Sequence, residues 1–587
     1  MNRVAWILTI VGLSIAVFGG VTLAVPGPSG ENVGLDLKAP EKKLIGIGWE
    51  FCGQTPQDMT ELMIGMQDGP FDGLAIGLDV ISPVTGEHCT YRNICNGAKW
   101  ERDWFSADLA ALKSASSPTL TDNFFRLLIN PEGPSGAKGL RAAWADDKRW
   151  GAIANNFGIV AWLAKNGGMK GIVLDPEEYN RPGIEQFRCL PEDGDYETAA
   201  RLARQRGAQV MRALAHEYPD ITILAFWLLS FRPELSSSRT PALAVRENND
   251  LWVPFVNGLL DELPPKARLV DACENAYRFQ GDDFARQAYH TRNRYIQLVS
   301  PENQGKYRSQ VQAGFGLYMD AHENPEGSSW YQGPLNGSRA ARLRQNAADA
   351  LEVADEYVWL WGEEGCWRKW KPKSGGSYDN VPLWEDQIPG AARALKLAKE
   401  PDGMGRQEVE ALRAQGRLNN LAANPEFDLT EKGEGSSTEG MGWQEEGVPA
   451  GWRTWQDRES EGTFSRDPAV GHLSLGSARA TGVSAGCLIQ DHPVKYGEWY
   501  AIEAFARPQG RSKWSVTARW YDANGRWVPE CLDRTIYPTE RDGDWQRAFG
   551  VVSVPMGAAQ MILLIDVSQQ GQQDSCWFDD VGVYKFE

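Results

Sequence analysis

Residues 171–179 read GIVLDPEEY. This stretch places three carboxylates, Asp175, Glu177 and Glu178, after a short run with the composition of a buried strand. Side chains alternate between the two faces of a strand, so Val173, Asp175 and Glu177 share one face. Carboxyl groups this close together shift each other's pKa values, which suits acid–base catalysis. The stretch therefore predicts a catalytic centre built from carboxylates.

The stretch is one of eight apolar runs with the character of strands, and amphipathic helical patterns separate several of them. The runs are LIGIGWEF (44–51), GLAIGLDV (73–80), FFRLLIN (124–130), GIVLDPEEY (171–179), ITILAFWLLS (221–230), RLVDACENAY (268–277), VQAGFGLYMD (311–320) and YVWLWGEEGCW (357–367). Alternating strands and helices predict a parallel sheet, and eight repeats predict an α/β fold of the TIM type, a (β/α)8 barrel.

The mouth of such a barrel, at the carboxyl ends of its strands, is the expected position of an active site. Small or polar residues mark the inward face of each strand, and the alternation then gives the side chains expected at the mouth. On the first strand, Gly46, Gly48 and Glu50 share that face. Besides Glu50 and the carboxylates of residues 171–179, the candidate site residues are Asp79, Arg126, Asn130, Glu274, Tyr318, Asp320, Trp361, Glu363 and Glu364. The sequence therefore predicts an acidic mouth with aromatic walls.

A mouth of this kind suits glycoside hydrolysis, in which a carboxylic acid protonates the leaving oxygen and a second carboxylate acts as nucleophile or base. Glu177 is the predicted general acid, Asp175 is predicted to tune its pKa, and Glu363 is the predicted second carboxylate. The alternatives for the second carboxylate are Asp320, Glu274 and, if the register of the last strand shifts by one, Glu364. The fourth and eighth strands lie opposite each other in the ring, which favours a base-activated water and hence inversion.

Asp175-Pro176-Glu177 also resembles the end of the strand-four motif of family-18 chitinases, D-x-D-x-E, in which the Glu is the general acid. The resemblance is confined to residues 171–179. Val173 stands where the motif has its preceding Asp, and Pro176 stands where an aromatic residue is usual. The resemblance implies an acid role for Glu177 and a supporting role for Asp175, and it implies no particular sugar.

The pattern changes after about residue 400. Residues 400–420 form a polar, charged connector, and beyond it short alternating runs such as WYAIEAFA (499–506) and WSVTARWYD (514–522) predict an antiparallel sandwich. We therefore predict a barrel domain at 41–400, a linker at 401–418 and an all-β domain at 419–587.

The two ends of the second domain, NNLAANPEFD (419–428) and WFDDVGVYKF (577–586), resemble the first and last strands of galactose-binding-like jelly rolls. Many carbohydrate-binding modules have this form, so the resemblance implies a sugar-binding module. The candidate ligand aromatics are Trp443, Trp452, Trp455, Trp514, Trp520 and Trp527. The resemblance also implies a possible structural Ca²⁺, with Glu426, Asp428 and Asp579 as candidate ligands.

The N-terminus has the pattern of a secretory signal. A short basic segment precedes the uncharged residues 4–25, and Thr22-Leu23-Ala24 offers small residues for cleavage. We expect a signal peptide at 1–24, a linker at 25–40 and a secreted or periplasmic protein; an uncut membrane anchor is the alternative. Because export is expected, some of the nine cysteines are predicted to form disulfides, with at least one left free.

Composition narrows the class of partner. A net charge of −18 disfavours nucleic acid and anionic membrane surfaces, and 24 Trp residues favour a ligand with apolar faces, such as a sugar. The sequence contains no H-E-x-x-H motif, and residues 41–400 contain no G-x-S-x-G motif, so neither a serine nucleophile nor a catalytic metal or cofactor is predicted.

The predicted function is therefore a secreted glycoside hydrolase that cleaves a poly- or oligosaccharide and carries a sugar-binding module. The alternatives are a barrel that binds glycan without cleaving it, and a polysaccharide lyase or transglycosylase. The sugar, its linkage and the oligomeric state stay open at this point.

Overall fold

The structure is a computed structural model that describes residues 41–130, 141–177, 185–428 and 449–586. The predicted signal peptide, the segment 25–40, Glu178 and Trp443 lie outside these ranges. Glu41–Glu587 form one compact unit. Within the described ranges, no helix is both long and apolar enough to cross a bilayer.

Parallel strands alternate with helices in the described part of 41–400. The strands are β1 (Lys43–Gly46), β2 (Gly73–Ile76), β3 (Asp79–Ile81), β4 (His88–Thr90), β5 (Phe124–Leu128), β6 (Gly171–Asp175), β7 (Thr222–Ala225), β8 (Arg268–Asp271), β9 (Val311–Ala313), β10 (Phe315–Tyr318) and β11 (Tyr357–Trp361). The helices are α1 (Trp49–Cys52), α2 (Met59–Met66), α3 (Ser106–Ser114), α4 (Asp147–Asn166), α5 (Tyr196–Glu217), α6 (Pro233–Ser236), α7 (Pro241–Glu247), α8 (Trp252–Glu262), α9 (Asp282–Tyr289), α10 (Gln304–Gln310), α11 (Arg339–Val353), α12 (Trp384–Gln387) and α13 (Ala391–Lys399). Each of the eight predicted runs contains at least one of these strands.

Nine of the strands form one parallel sheet in the order β10-β11-β1-β2-β5-β6-β7-β8-β9. Its two edge strands are consecutive in the chain, because only Gly314 separates β9 from β10. β9 pairs with β8 and β10 pairs with β11. The sheet therefore curls into a nearly closed parallel barrel, which confirms a mixed α/β protein with a barrel-like sheet.

Side chains of opposite parity build two separate cores. The barrel interior contains Val173 with Phe124, Leu224 and Trp359, whereas Ile172 packs on the helices outside. The predicted face of the fourth strand is therefore correct. The prediction for the first strand was wrong, since its interior residues are Ile45 and Ile47.

Gly46 faces outward because the helical layer crosses it closely. A Cβ atom at Gly46 would lie 2.9 Å from Leu74 and 3.0 Å from Phe51. A glycine in a barrel strand thus marks close approach of a neighbour and does not by itself mark the inward face.

The end of β8 holds the turn that follows β7. The buried carboxylate of Asp271 accepts hydrogen bonds from the backbone N–H groups of Leu228, Leu229 and Ser230, at 2.9–3.1 Å, and from the Ser230 hydroxyl. Burial raises the pKa of Asp271 and these hydrogen bonds oppose that rise. One side chain therefore accepts hydrogen bonds from four donors that are buried away from solvent.

The last third of the chain is an antiparallel sandwich preceded by one helix. The elements are α14 (Pro401–Ala414), β12 (Arg453–Gln456), β13 (Thr463–Asp467), β14 (Ser477–Thr481), β15 (Ala485–Pro493), β16 (Trp499–Pro508), β17 (Lys513–Tyr521), β18 (Arg534–Ile536), β19 (Pro538–Asp542), β20 (Trp545–Ser553), β21 (Gln560–Ser568) and β22 (Ser575–Lys585). One sheet has the order β12-β15-β21-β17-β18 and the other β13-β14-β22-β16-β20-β19.

The segment predicted as a linker contains α14, and this helix packs on the six-stranded sheet. Val409 of α14 belongs to a hydrophobic cluster with Phe549 and Val551 of β20 and with Trp499 of β16. The Trp499 indole also donates a hydrogen bond of 3.0 Å to Gln345 of α11. The outer face of the six-stranded sheet is thus covered by helices, and the proposed domain boundaries stay a prediction.

All nine cysteines lie in described segments and none forms a disulfide. The predicted disulfides are therefore absent from this structure. The cysteines are dispersed: Cys52 lies in the barrel interior, Cys89, Cys95 and Cys273 in the outer barrel core, and Cys576 in the sandwich core.

We expect Asp271→Asn to lower the free energy of unfolding by about 1–3 kcal/mol, because backbone donors in the β7 turn lose an acceptor without gaining water. The measurement is the urea midpoint by fluorescence. Asp220→Asn at an exposed position is the matched control. An unchanged urea midpoint in Asp271→Asn would show that the turn after β7 is stable without the Asp271 carboxylate.

Candidate active site

A pocket of about 190 Å³ opens where the barrel strands end. Its lining residues come from at least six strand ends and are Trp49, Arg126, Glu177, Phe226, Glu274, Tyr277, Tyr318, Trp330, Trp361 and Glu363. Three carboxylates and one guanidinium therefore share a space walled by aromatic rings.

A buried ion pair forms the floor of this pocket. Arg126 of β5 donates hydrogen bonds from Nε, at 3.1 Å, and from Nη2 to one oxygen of Asp175 of β6. Both side chains are almost completely buried. Burial is the largest single influence and lowers the pKa of Arg126. The charge and hydrogen bonds of Asp175, with further groups nearby, raise it by more in total, so the pKa is raised and the guanidinium stays charged.

The second oxygen of Asp175 positions Glu177. It accepts a hydrogen bond of 3.0 Å from the backbone N–H of Glu177. The Asn130 amide donates to the backbone carbonyls of Pro176, at 2.6 Å, and Glu177. These contacts fix the backbone just beyond β6, so the Glu177 side chain enters the pocket although the strand has already ended.

Glu274 lies just beyond the end of β8, in the neighbourhood of Glu177. Its backbone N–H donates a 3.0 Å hydrogen bond to the carbonyl of Phe226. Burial, and next to it the charge of Glu177, raises the pKa of Glu274 well above its usual range, with Arg126 opposing. Its Oε2 atom is enclosed and has no hydrogen-bond partner among the described residues. The surroundings of Glu274 thus favour the protonated form of its carboxyl group.

Glu363 stands at the opposite rim, on the loop after β11. Its Oε1 accepts a 2.8 Å hydrogen bond from the Trp361 indole, and its backbone N–H donates to Asp320 at 2.9 Å. The other Asp320 oxygen accepts from the backbone N–H of Glu364 at 2.8 Å. Asp320 therefore holds the loop that carries Glu363.

The aromatic lining forms a box of rings in several orientations. Tyr277 stacks on Tyr318 with centroids 5.0 Å apart, and Trp330 meets Tyr277 edge-on at 5.6 Å. Trp49 meets Trp361 edge-on at 5.4 Å. Such walls offer apolar faces to the C–H surface of a sugar ring.

The structure divides the predicted site residues into three groups. The residues in the pocket lining are Arg126, Glu177, Glu274, Tyr318, Trp361 and Glu363. The residues that support lining residues from behind are Asp175, Asn130 and Asp320. Those placed elsewhere are Glu50, Asp79 and Glu364, and Glu178 lies outside the described residues.

Glu50 and Asp79 are displaced because their strands end early. β1 ends at Gly46, and Glu50 lies in α1, where it accepts a 2.6 Å hydrogen bond from the backbone N–H of Trp367. Burial raises the pKa of Glu50 to about 7. Asp79 lies on the exposed β3–β4 hairpin and pairs with His88 at 2.7 Å.

Four lining residues were not among the predicted candidates: Trp49, Phe226, Tyr277 and Trp330. Phe226 has the same inward parity as Leu224 of β7, so the alternation of side chains in the predicted run 221–230 indicates it. Trp49 and Tyr277 lie in predicted runs. Trp330 comes from the loop after β10, and no periodicity in the sequence points to it.

The described part of the chain contains no group of three or more His, Cys, Asp or Glu side chains placed to hold a metal ion. Asp579 is buried and accepts a 2.7 Å hydrogen bond from the backbone N–H of His472, and Asp428 pairs with Arg466 at 3.2 Å. The expected Ca²⁺ in the sandwich stays an untested prediction.

Comparison with known proteins gives partial matches only. No family model matches the chain, and no curated protein matches it. Similar solved structures include the enzymatically active domain of bacteriophage CBA120 tailspike protein 4 (16% identity, TM-score 0.20, 23% of this chain and 20% of that one). The CBM22-1 and GH10 modules of a Clostridium thermocellum endo-1,4-β-D-xylanase match with 14% identity and a TM-score of 0.19 over 23% of this chain and 26% of that one.

The carbohydrate-binding module TmCBM61, solved with β-1,4-galactotriose, is matched over 99% of its length and 29% of this chain, with 12% identity and a TM-score of 0.20. The structural neighbours are thus glycoside hydrolases and carbohydrate-binding modules. The first two are matched over about a fifth and a quarter of their chains. At these TM-scores the likeness carries no functional argument, which must come from the site.

We expect Asp175→Asn to lower the free energy of unfolding by about 3 kcal/mol or more, because Arg126 is left buried without its counter-charge. The double variant Arg126→Met, Asp175→Leu should recover part of this loss, since it removes both charges. Urea unfolding of the three proteins is the measurement, with Asp220→Asn at an exposed position as control. Equal urea midpoints for Asp175→Asn and wild type would show that the ion pair does not stabilise the fold.

Proposed function

We propose that this protein is a glycoside hydrolase acting on a poly- or oligosaccharide, built on a (β/α)8 barrel with an appended sugar-binding module. One observation carries the proposal: Glu177, Glu274 and Glu363, from three separate strand ends, converge on one aromatic-lined pocket. Glycosidic bond cleavage needs two carboxyl groups in different protonation states, and this pocket supplies them. Secretion, expected from the N-terminal sequence, belongs to the same proposal.

Glu274 is the proton donor in this mechanism. Its raised pKa keeps it protonated, so it can protonate the glycosidic oxygen as the bond to the leaving sugar breaks. Glu177 is the adjacent carboxylate whose charge maintains that pKa. Glu177 or Glu363 then acts as nucleophile, or as base for a water molecule.

This assignment exchanges the roles that the family-18 resemblance implies, where Glu177 is the acid. The environment of Glu274 supports this exchange, because burial and the charge of Glu177 raise its pKa and its Oε2 atom is enclosed without a hydrogen-bond partner among the described residues. The resemblance of residues 175–177 to chitinases stays a hypothesis about one motif.

Arg126 adds a donor for substrate. Its Nη1 atom is enclosed and has no hydrogen-bond partner within the described residues, and the side chain lines the pocket. A hydroxyl of the bound sugar would satisfy this donor, whose lack of a partner otherwise costs free energy. Arg126 is thus the best placed residue to orient the sugar on the aromatic walls.

The sandwich offers one open face to a glycan. Trp452, Trp514 and Trp520 are core residues, so they are removed from the candidate ligand aromatics. Trp527 is 48% exposed, stacks at 3.9 Å on Tyr521 and has Arg519 4.3 Å over its ring. Since helices cover the six-stranded sheet, the five-stranded sheet that carries Tyr521 is the proposed sugar-binding face.

Two other functions use the same pocket. A glycan-binding protein without catalysis would bind oligosaccharide and release no product. A lyase would leave unsaturated sugar ends, and a transglycosylase would lengthen some products. Product analysis by mass spectrometry separates these outcomes from hydrolysis.

We expect Glu274→Gln and Glu177→Gln each to lower turnover of a cleaved polysaccharide by about 10²–10⁴-fold, because each removes one acid–base partner. Reducing-end release is the measurement. Glu326→Gln, at an exposed position outside the pocket, is the control. Wild-type turnover in Glu274→Gln would exclude it as the proton donor.

The pH dependence tests the coupling of the two residues. Activity that needs protonated Glu274 falls as pH rises through its raised pKa, so the wild type should stay active above the usual titration range of carboxyl groups. Glu177→Gln removes a negative neighbour and lowers the pKa of Glu274. The residual activity of that variant should therefore decline at lower pH, and an unchanged alkaline limb would contradict the coupling.

We expect Trp527→Ala to weaken binding to the polysaccharide by about tenfold, because it deletes the exposed ring of the proposed face. Affinity electrophoresis measures this, and turnover of a short soluble substrate should not change. Tyr537→Ala, another exposed aromatic residue of the sandwich, is the control. Equal losses in both variants would argue against a site at Trp527.

A further inference from the structure

The charges around the pocket are unbalanced. Among the described lining residues, Glu177, Glu274 and Glu363 face a single cation, Arg126. That cation is already paired with Asp175. Carboxyl groups therefore outnumber cations among the described lining residues, and the net charge of −18 over the whole chain has the sign of this excess. A ligand that carries a carboxylate would enter this pocket against electrostatic repulsion.

The aromatic box is also suited to a cation. Rings of Tyr277, Tyr318 and Trp330 meet at different angles, with Trp330 edge-on to Tyr318 at 6.4 Å. A cation over an aromatic face within about 6 Å is attracted by the ring quadrupole. The box already shows such contacts, since the Arg126 guanidinium lies 4.9 Å from the Trp361 ring.

Glu363 supplies a fixed anion beside these rings. The Trp361 indole donates a hydrogen bond of 2.8 Å to its carboxylate. A carboxylate has about four acceptor positions, so Glu363 retains acceptors for a ligand. Its side chain is exposed toward the pocket opening, where a charged group of a substrate passes.

We propose that the sugar bound in this pocket carries a protonated free amine, which pairs with Glu363 beside the rings of Tyr318 and Trp361. The substrate class is then a glycan of amino sugars, in preference to neutral glycans and to polymers of uronic acids. This inference rests on the proposed function for the catalytic step, while the binding preference stands on the pocket alone.

Arg278 is the nearby group that would favour the opposite charge. Its guanidinium lies 4.1 Å over the Trp330 ring, and it is not part of the pocket lining. A uronic acid polymer would pair with Arg278 as well as with the open Nη1 atom of Arg126. Arg278→Gln should therefore leave binding of an amino sugar unchanged or strengthen it.

The test compares three β-1,4-linked hexamers that differ only at carbon 2: glucosamine hexamer, N-acetylglucosamine hexamer and cellohexaose. Binding to the full chain carrying Glu177→Gln, which suppresses turnover, is measured by titration calorimetry at pH 6. We expect the glucosamine hexamer to bind about tenfold or more tightly than the other two. The advantage should shrink as salt is raised.

Glu363→Gln in the same background should bring the three dissociation constants together, whereas Glu326→Gln should leave the preference intact. Three results would each overturn the amine proposal. The first is equal binding of the three hexamers, and the second is no binding of the glucosamine hexamer. The third is tighter binding of hexagalacturonate that Arg278→Gln abolishes. Selective binding of the amine form by a wild-type protein that cleaves no glycan would support it and would overturn only the hydrolase proposal.

Discussion

The ion pair between Arg126 and Asp175 is the interaction on which the site depends. It lies in the barrel, where an isolated charge would be costly, so each residue requires the other. One Asp175 oxygen holds the guanidinium and the other holds the backbone of Glu177. The pair therefore fixes the position of a carboxylate, and one Arg126 nitrogen has no hydrogen-bond partner within the described residues.

Aspartates and glutamates divide the work at the strand ends. Asp175, Asp271 and Asp320 are buried and accept hydrogen bonds from backbone N–H groups of the same or a neighbouring loop. Glu177, Glu274 and Glu363 follow or neighbour these residues and reach into the pocket. The shorter side chain stays within the wall and fixes loops, whereas the longer one extends past it. An acidic mouth can therefore be rigid and reactive, because different acids serve the two purposes.

The sandwich is joined to the barrel through a covered face. Trp499 reaches Gln345 on α11, and α14 fills the outer side of β16 and β20. This packing attaches the sandwich through the six-stranded sheet. Under the proposed function, the five-stranded sheet, beside which Trp527 lies, is the sugar-binding face. The connector is helical, and its Val409 packs on the six-stranded sheet.

The sequence by itself determined the strand runs, the alternation with helices, the change to an all-β pattern and the carboxylates near strand ends, because each is a local matter of periodicity and composition. Only the tertiary structure decided which acids meet. Alternation holds within a strand, so it placed Val173 and Arg126 but failed for Glu50 and Asp79, which lie beyond the ends of β1 and β2. Three features depend on contacts between residues far apart in the chain. They are the choice of the carboxyl group whose protonated form is favoured, the entry of Trp330 into the pocket from a loop, and the dispersal of the cysteines among several cores. No local pattern encodes such contacts.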